Sequence, residues 1–242
     1  MKSTPILTVL TAAASAALAT GCATTVADLE GPAYRQKLNT PAPVSVTLDP
    51  RRADPDSFRV TVDGRDITEA FAFTDQTARL TGYVFEPAAP LEPHRLTVTA
   101  EPTLNAKGRP MGRSYEETLT FFPPRITVQG NVGLGPSSRI DLTRDGRTSV
   151  MVTLPAAPRT ATDFTVSHEP QGDSEAFLAL DDLSPGEPTT VTFAPGRRVA
   201  VFTVRGTAPG LGALRVESPG YVATTIDTIV EGTSLSAVVD GP

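Results

Sequence analysis

Side chains able to do covalent, acid-base or metal chemistry are few in this chain. Among 242 residues there is one cysteine, Cys22, and there are two histidines, His94 and His168. A single cysteine cannot close an internal disulfide, so the Cys22 thiol needs another use, and it sits directly after an apolar N-terminal stretch. Neither histidine has a second imidazole at metal-ligand spacing. His94 follows Pro93 at the start of an alternating run, which predicts a surface position at a strand end. His168 ends another run beside Glu169, with Asp163 upstream. Such an imidazole-carboxylate pair does acid-base work only where a nucleophile or substrate meets it, and no G-x-S-x-G elbow accompanies it.

The other candidates are as sparse. Asp181 and Asp182, with Asp173 and Glu175 just before them, could offer oxygen to a hard cation such as calcium, but the D-x-D-x-D-G order is absent. The run from Gly130 to Gly135 has neither the spacing nor the following helix that a phosphate-binding loop needs, and reads as an interdomain loop. Tyr34, Tyr83, Tyr115 and Tyr221 are possible glycan contacts in a chain without Trp, and half-buried strand residues with a wet hydroxyl otherwise. No catalytic, cofactor-binding or metal-binding residue is therefore expected, and no cofactor. A formal net charge of -6 offers no basic stripe for nucleic acid.

The N-terminus carries the most specific signal. Lys2 precedes an uncharged, Ala-rich stretch from Ile6 to Leu18, which reads as a secretory signal over residues 1-21. It falls short of the roughly 20 apolar residues that a permanent membrane span requires. Thr20 and Gly21 before Cys22 resemble the lipobox of bacterial lipoproteins, with Ala19 where the family usually has Leu. That resemblance implies that Cys22 is lipidated and becomes the first residue after cleavage. An ordinary secretory signal that happens to end beside a cysteine is the alternative. One acyl chain holds only weakly, at about 0.8 kcal/mol per buried methylene, whereas members of the family carry two or three, palmitate among them. Ala23, where an Asp would favour inner-membrane retention, points through the same resemblance to the outer membrane, facing periplasm or cell surface.

Residues 23-43, with Gly31, Pro32, Pro41 and Pro43, lack sustained periodicity, so 22-43 reads as the lipidated Cys and a flexible tether, reaching roughly 70 Å at about 3.3 Å per residue. From Val44 onward, short runs alternate with period two between Pro, Gly and Asp, the pattern of an all-β sandwich. Val44, Val46 and Leu48, then Phe58, Val60 and Val62, lead to a hairpin turn at Asp63-Gly64. A strand leading on to Ile67 after that turn, then Leu80 to Phe85, Leu96 to Ala100 and Tyr115 to Phe121, bring the first half to six strands. Pro123-Pro124 then stops any element from running through. About eight more strands are expected in the second half. They include a hairpin at Arg144 to Arg147, Phe164 with Val166, Phe177 to Leu180, Ala200 with Phe202 and Val204, and a final run from Tyr221 to Val230.

Asp145-Gly146 to Leu154, Ala157-Pro158, Phe164 to Val166, Thr190 to Phe193 and Val201 to Val204 resemble bacterial immunoglobulin-like repeats. Phe58 to Gly64, Ile67-Thr68 and His94 to Val98 are similar to another such domain, more loosely. The expected organisation is two tandem Ig-like sandwiches, 44-122 and 126-231, followed by a loose tail over 232-242. A fold of this kind does not by itself specify function. The reading is a non-enzymatic, lipid-anchored spacer or protein-binding (adhesion) module of the cell envelope, with the membrane and an envelope or extracellular protein as partners and no nucleic acid. The alternative is an enzyme or accessory subunit acting on envelope polymers or glycans.

Overall fold

A computed structural model describes residues 25-89, 92-130, 138-172 and 175-232. The alternating runs become strands because their β-branched and aromatic side chains fill one face of a pleated surface while Thr and charged residues meet water on the other. Nine strands build the first sandwich: β1 (Ala27–Glu30), β2 (Gln36–Lys37), β3 (Ser45–Leu48), β4 (Arg59–Val62), β5 (Arg65–Asp66), β6 (Phe71–Thr74), β7 (Thr77–Leu80), β8 (His94–Ala100) and β9 (Tyr115–Phe122). One sheet has the order β1-β3-β7-β6 and the other β2-β9-β8-β4-β5. With β1 and β2 taken as two halves of strand A, these are the A-B-E-D and A-G-F-C-C′ orders of the immunoglobulin fold. The core between them includes Val46, Phe58, Val60, Leu96, Val98 and Phe121. Asp63 and Gly64 both have positive φ, 51° and 83°, so the expected hairpin is a type I′ turn joining β4 to β5.

The second sandwich repeats the plan with β10 (Thr127–Gln129), β11 (Arg139–Thr143), β12 (Arg147–Thr153), β13 (Thr162–Pro170), β14 (Leu178–Leu180), β15 (Thr189–Phe193), β16 (Val199–Gly206), β17 (Gly210–Glu217) and β18 (Thr224–Glu231). Its sheets run β10-β12-β16-β14 and β11-β18-β17-β13-β15 around Val150, Phe164, Phe177, Phe193 and Leu214. In the first sandwich the edge strand beside β4 precedes the edge strand beside β7. In the second that order is reversed, because β14 beside β16 comes before β15 beside β13.

Three expectations need correction. The first sandwich has nine strands instead of six, and the region read as a flexible tether belongs to it. Strand β1 pairs antiparallel with β3 and β2 pairs parallel with β9, while Val26, Ala27, Leu29 and Leu38 lie in the first core. Burial of these side chains fixes the segment despite its glycine and prolines. Arg144 to Arg147 is not a hairpin: β11 pairs parallel with β18, and the turn carries the chain across to β12 in the other sheet. Gly206 permits that crossing, since a Cβ there would stand 2.9 Å from the Thr143 carbonyl oxygen. The expected strand from Leu80 to Phe85 stops at Leu80, and Tyr83 to Phe85 serves the joint between the sandwiches instead.

That joint is hydrogen-bonded along the backbone. The Phe85 N–H donates to the Tyr221 carbonyl at 3.0 Å, the Ala223 N–H to Phe85 at 2.8 Å, the Gly220 N–H to Tyr83 at 2.8 Å and the Val222 N–H to Pro124 at 3.0 Å. The connection between β17 and β18 therefore lies between two segments of the first half. Tyr221 points into the second core, against Phe164, whereas Val222 belongs to the first. Arg215 adds an ion pair to Glu86 at 3.0 Å. Register places Thr25, Asp49 and Arg113 at the end of the first sandwich away from this joint, and Thr143, Gly206 and Glu231 at the far end of the second. The first and last described segments thus lie at opposite ends of one elongated body.

Candidate functional site

Cys22 lies outside the described residues, which begin at Thr25. Thr25 forms a bridge to Arg113, and the Asp49 N–H donates to the Val26 carbonyl at 2.9 Å. Val26 is fully buried. Thr25, the first described residue, comes three positions after Cys22 in the sequence and is already paired at the sandwich end. The segment expected to act as a tether is, from Val26 onward, part of the sandwich.

His94 is buried, which corrects the expected surface position. Its Nδ1 meets the Asp63 carboxylate at 2.6 Å, and the other oxygen of Asp63 accepts the Arg95 N–H at 2.8 Å. The left-handed backbone of the β4-β5 turn aims Asp63 at the start of β8, while Phe85 packs on the ring at 5.2 Å. An open groove of about 850 Å³ runs past this turn, lined also by Glu86, Pro87, Glu92, Arg95 and Thr97. The imidazole has no nitrogen to offer there: Nδ1 is engaged and Nε2 is buried without a partner. The pair clamps the hairpin to the sheet. Asp63→Ala is expected to destabilise the first sandwich by about 1–3 kcal/mol, read from the urea midpoint, because two donors lose their acceptor.

The carboxylate and imidazole groups of β13 do not converge. Asp163 and Glu169 are exposed on its outer face, while His168 lies on the opposite, buried face, as period-two alternation requires. Asp163 accepts a hydrogen bond from Thr192 at 2.5 Å. His168 packs edge-on against Phe177, with ring centroids 4.3 Å apart and neither nitrogen hydrogen-bonded. Burial holds its pKa down to about 4, so the ring is neutral at ordinary pH. Gly210 and Gly212 of β17 make room for Phe177, since a Cβ on Gly210 would come within 2.4 Å of that ring.

Asp181 is occupied in a turn at φ 51°, where it accepts the Thr203 N–H at 2.9 Å. Asp182 is exposed and reaches Arg147 at 3.9 Å. Asp173 lies outside the described residues, as does the glycine-rich run after Gly130. Among the described residues no three His, Cys, Asp or Glu groups are arranged to hold a metal ion. Tyr34 is the one of the four tyrosines that stands largely in water; Tyr115 and Tyr221 are buried and Tyr83 is half-buried at the joint. Arg215 was not singled out in the sequence. It gathers Glu86, Glu217 and, at 3.9 Å, Glu169, and the hydrogen bond to Glu217 leads the causes that raise its pKa. Only the fold brings these four positions together. No helix among the described residues is long and apolar enough to cross a membrane.

No family model and no curated protein matches the chain. Among solved structures it is similar to a glycosyl hydrolase family 2 member from Bacteroides cellulosilyticus, at 11% identity and a TM-score of 0.32, over 83% of this chain and 24% of that one. The chain thus spans about a quarter of that protein's length. It is also similar to two structures described as BspA_C_mut and BspA_C_WT, at 7% and 6% identity and TM-scores of 0.30. Each match covers 81% of this chain, with 93% and 96% of the respective neighbours. Likeness at this level carries no argument about activity.

Proposed function

We propose that this chain is a lipid-anchored cell-envelope protein whose two Ig-like sandwiches form a non-enzymatic spacer and protein-binding module. The observation that carries the reading is the placement of the two ends. Thr25, three positions after Cys22 in the sequence, lies at one end of the body, and the backbone-bonded joint holds the second sandwich beyond the first. A chain attached to a bilayer through Cys22 would present its Thr143, Gly206 and Glu231 end farthest from the lipid. The lipobox-like Leu18 to Cys22 stretch supports attachment, and Ala23 supports the outer membrane as the site. The dispersal of His168, Asp163 and Glu169 supports a binding role over catalysis on envelope polymers.

Replacing Cys22 with Ala is expected to move the protein out of the sarkosyl-resistant membrane fraction without changing its folding, since the residue precedes both buried cores. Unchanged outer-membrane attachment of this variant would defeat the reading. Protease shaving of intact cells, with a periplasmic protein as integrity control, then assigns the face. Loss of the sandwiches means external partners, and protection until the outer membrane is permeabilised means periplasmic ones.

A further inference from the structure

We propose that the loop from Pro102 to Arg113, at the anchor end of the first sandwich, is a membrane-docking surface that lies on anionic lipid. This deepens the lipid-anchor reading and rests on it for the distance to the bilayer. Three observations point the same way. The first is where the chain leaves the folded body: Thr25 bridges Arg113, so a lipidated Cys22, three residues earlier, would hold this loop at the headgroups.

The second is charge. The whole chain carries a net -6, yet Pro102 to Arg113 contains Lys107, Arg109 and Arg113 and no carboxylate. None of these three cations is in an ion pair among the described residues. Arg51 stands exposed in the neighbouring loop, whose Arg52 carbonyl accepts the Thr103 N–H at 2.6 Å. The end also carries acidic groups: Asp49 pairs with Arg52 at 3.8 Å, Asp54 caps a short turn, Glu101 accepts from Ser114, and Asp28 and Glu116 are exposed on β1 and β9. Asp56 and Asp75 are in the flanking turns.

The third observation is apolar exposure in the same loop. Leu104 is 65% exposed and Met111 44%, on a backbone held in place by its own hydrogen bonds. The Asn105 side chain accepts the Lys107 and Arg109 N–H groups, Asn105 N–H donates to Arg109, and Met111 N–H donates to Thr103. An ordered loop that offers two large apolar side chains among unpaired cations has the chemistry of an interfacial anchor. One lipidated residue and a basic, apolar loop beside it would fix the tilt of the body on the bilayer as well as its attachment.

The test uses the chain from Ala23 onward, which contains both buried cores and lacks the acylated residue, so it fails or succeeds independently of whether Cys22 is modified. Sedimentation with vesicles of phosphatidylglycerol in phosphatidylcholine is expected to retain the protein, and vesicles of phosphatidylcholine alone to retain about tenfold less. The double variant Lys107→Glu with Arg109→Glu should lose about tenfold in binding, as should Leu104→Ser with Met111→Ser. High salt should weaken the wild type. Tyr34→Ser, at an exposed site near the joint, should change nothing. Absence of binding to the anionic vesicles, or binding that the two loop variants leave intact, would overturn the proposal.

Discussion

Val222→Asp is expected to unfold the first sandwich, although residue 222 belongs to the connection between two strands of the second. The side chain is 2% exposed and packs in the first core, beside Phe85. A carboxylate there must either shed water or take up a proton among the apolar side chains of the first core. The expected loss is about 3–5 kcal/mol, a large part of the stability of a domain this size. Val222→Ala should lose only about 1.6 kcal/mol, the transfer energy of two methylene-sized groups. Val199→Asp, at a 48% exposed position of β16, should fall within about 0.5 kcal/mol of the wild type. Hydrogen exchange read by mass spectrometry separates the outcomes. Amides of β4, β8 and β9 should lose protection in Val222→Asp while those of β12 and β16 keep it. Gly220 should behave similarly, because any side chain there meets Pro41 within 2.6 Å at a φ of 82°.

Acid is expected to weaken the second sandwich through His168, and His168→Leu to remove that sensitivity. Above about pH 6.5 the imidazole is neutral folded and unfolded, so it adds no pH dependence. Between 6.5 and about 4 the unfolded chain binds the proton and the buried ring does not, so stability falls as pH falls. Below about 4 both states are protonated and the loss is complete, at most about 3 kcal/mol. Leucine fills a similar space against Phe177 and removes two buried nitrogens that lack partners. The gap in urea midpoint between variant and wild type should therefore widen from pH 7.5 to 4. A constant gap would mean that the ring gains its proton without cost in the fold.

Much of the fold was legible from alternation. Phe58, Val60 and Val62 face one way in the sequence and share one core in the structure, as do Phe164 and Val166. Asp63-Gly64 announced its turn because few other pairs accept two positive φ angles. Pairing over long separations was not legible. Ala27 and Leu29 alternate too, but their run is short and ends at Gly31-Pro32, and only the distant partners in β3 make it a strand. The same holds for Tyr83 to Phe85, whose hydrogen-bonding partners come more than 130 residues later. His94 read as exposed because the acid that engages it, Asp63, approaches from the β4-β5 turn, 31 residues earlier. The arrangement of exposed Leu104 and Met111 beside the N-terminal bridge depends on the register of β9 against the chain start, which no local pattern encodes.

Attachment through Cys22 underlies both the proposed function and the docking of the basic loop at the bilayer. Mass spectrometry of the N-terminal peptide from membrane-extracted protein tests it most directly. The expected peptide begins at Cys22 and carries the mass of two or three acyl chains. A peptide that begins at another residue, or a Cys22 with a free thiol, would contradict it.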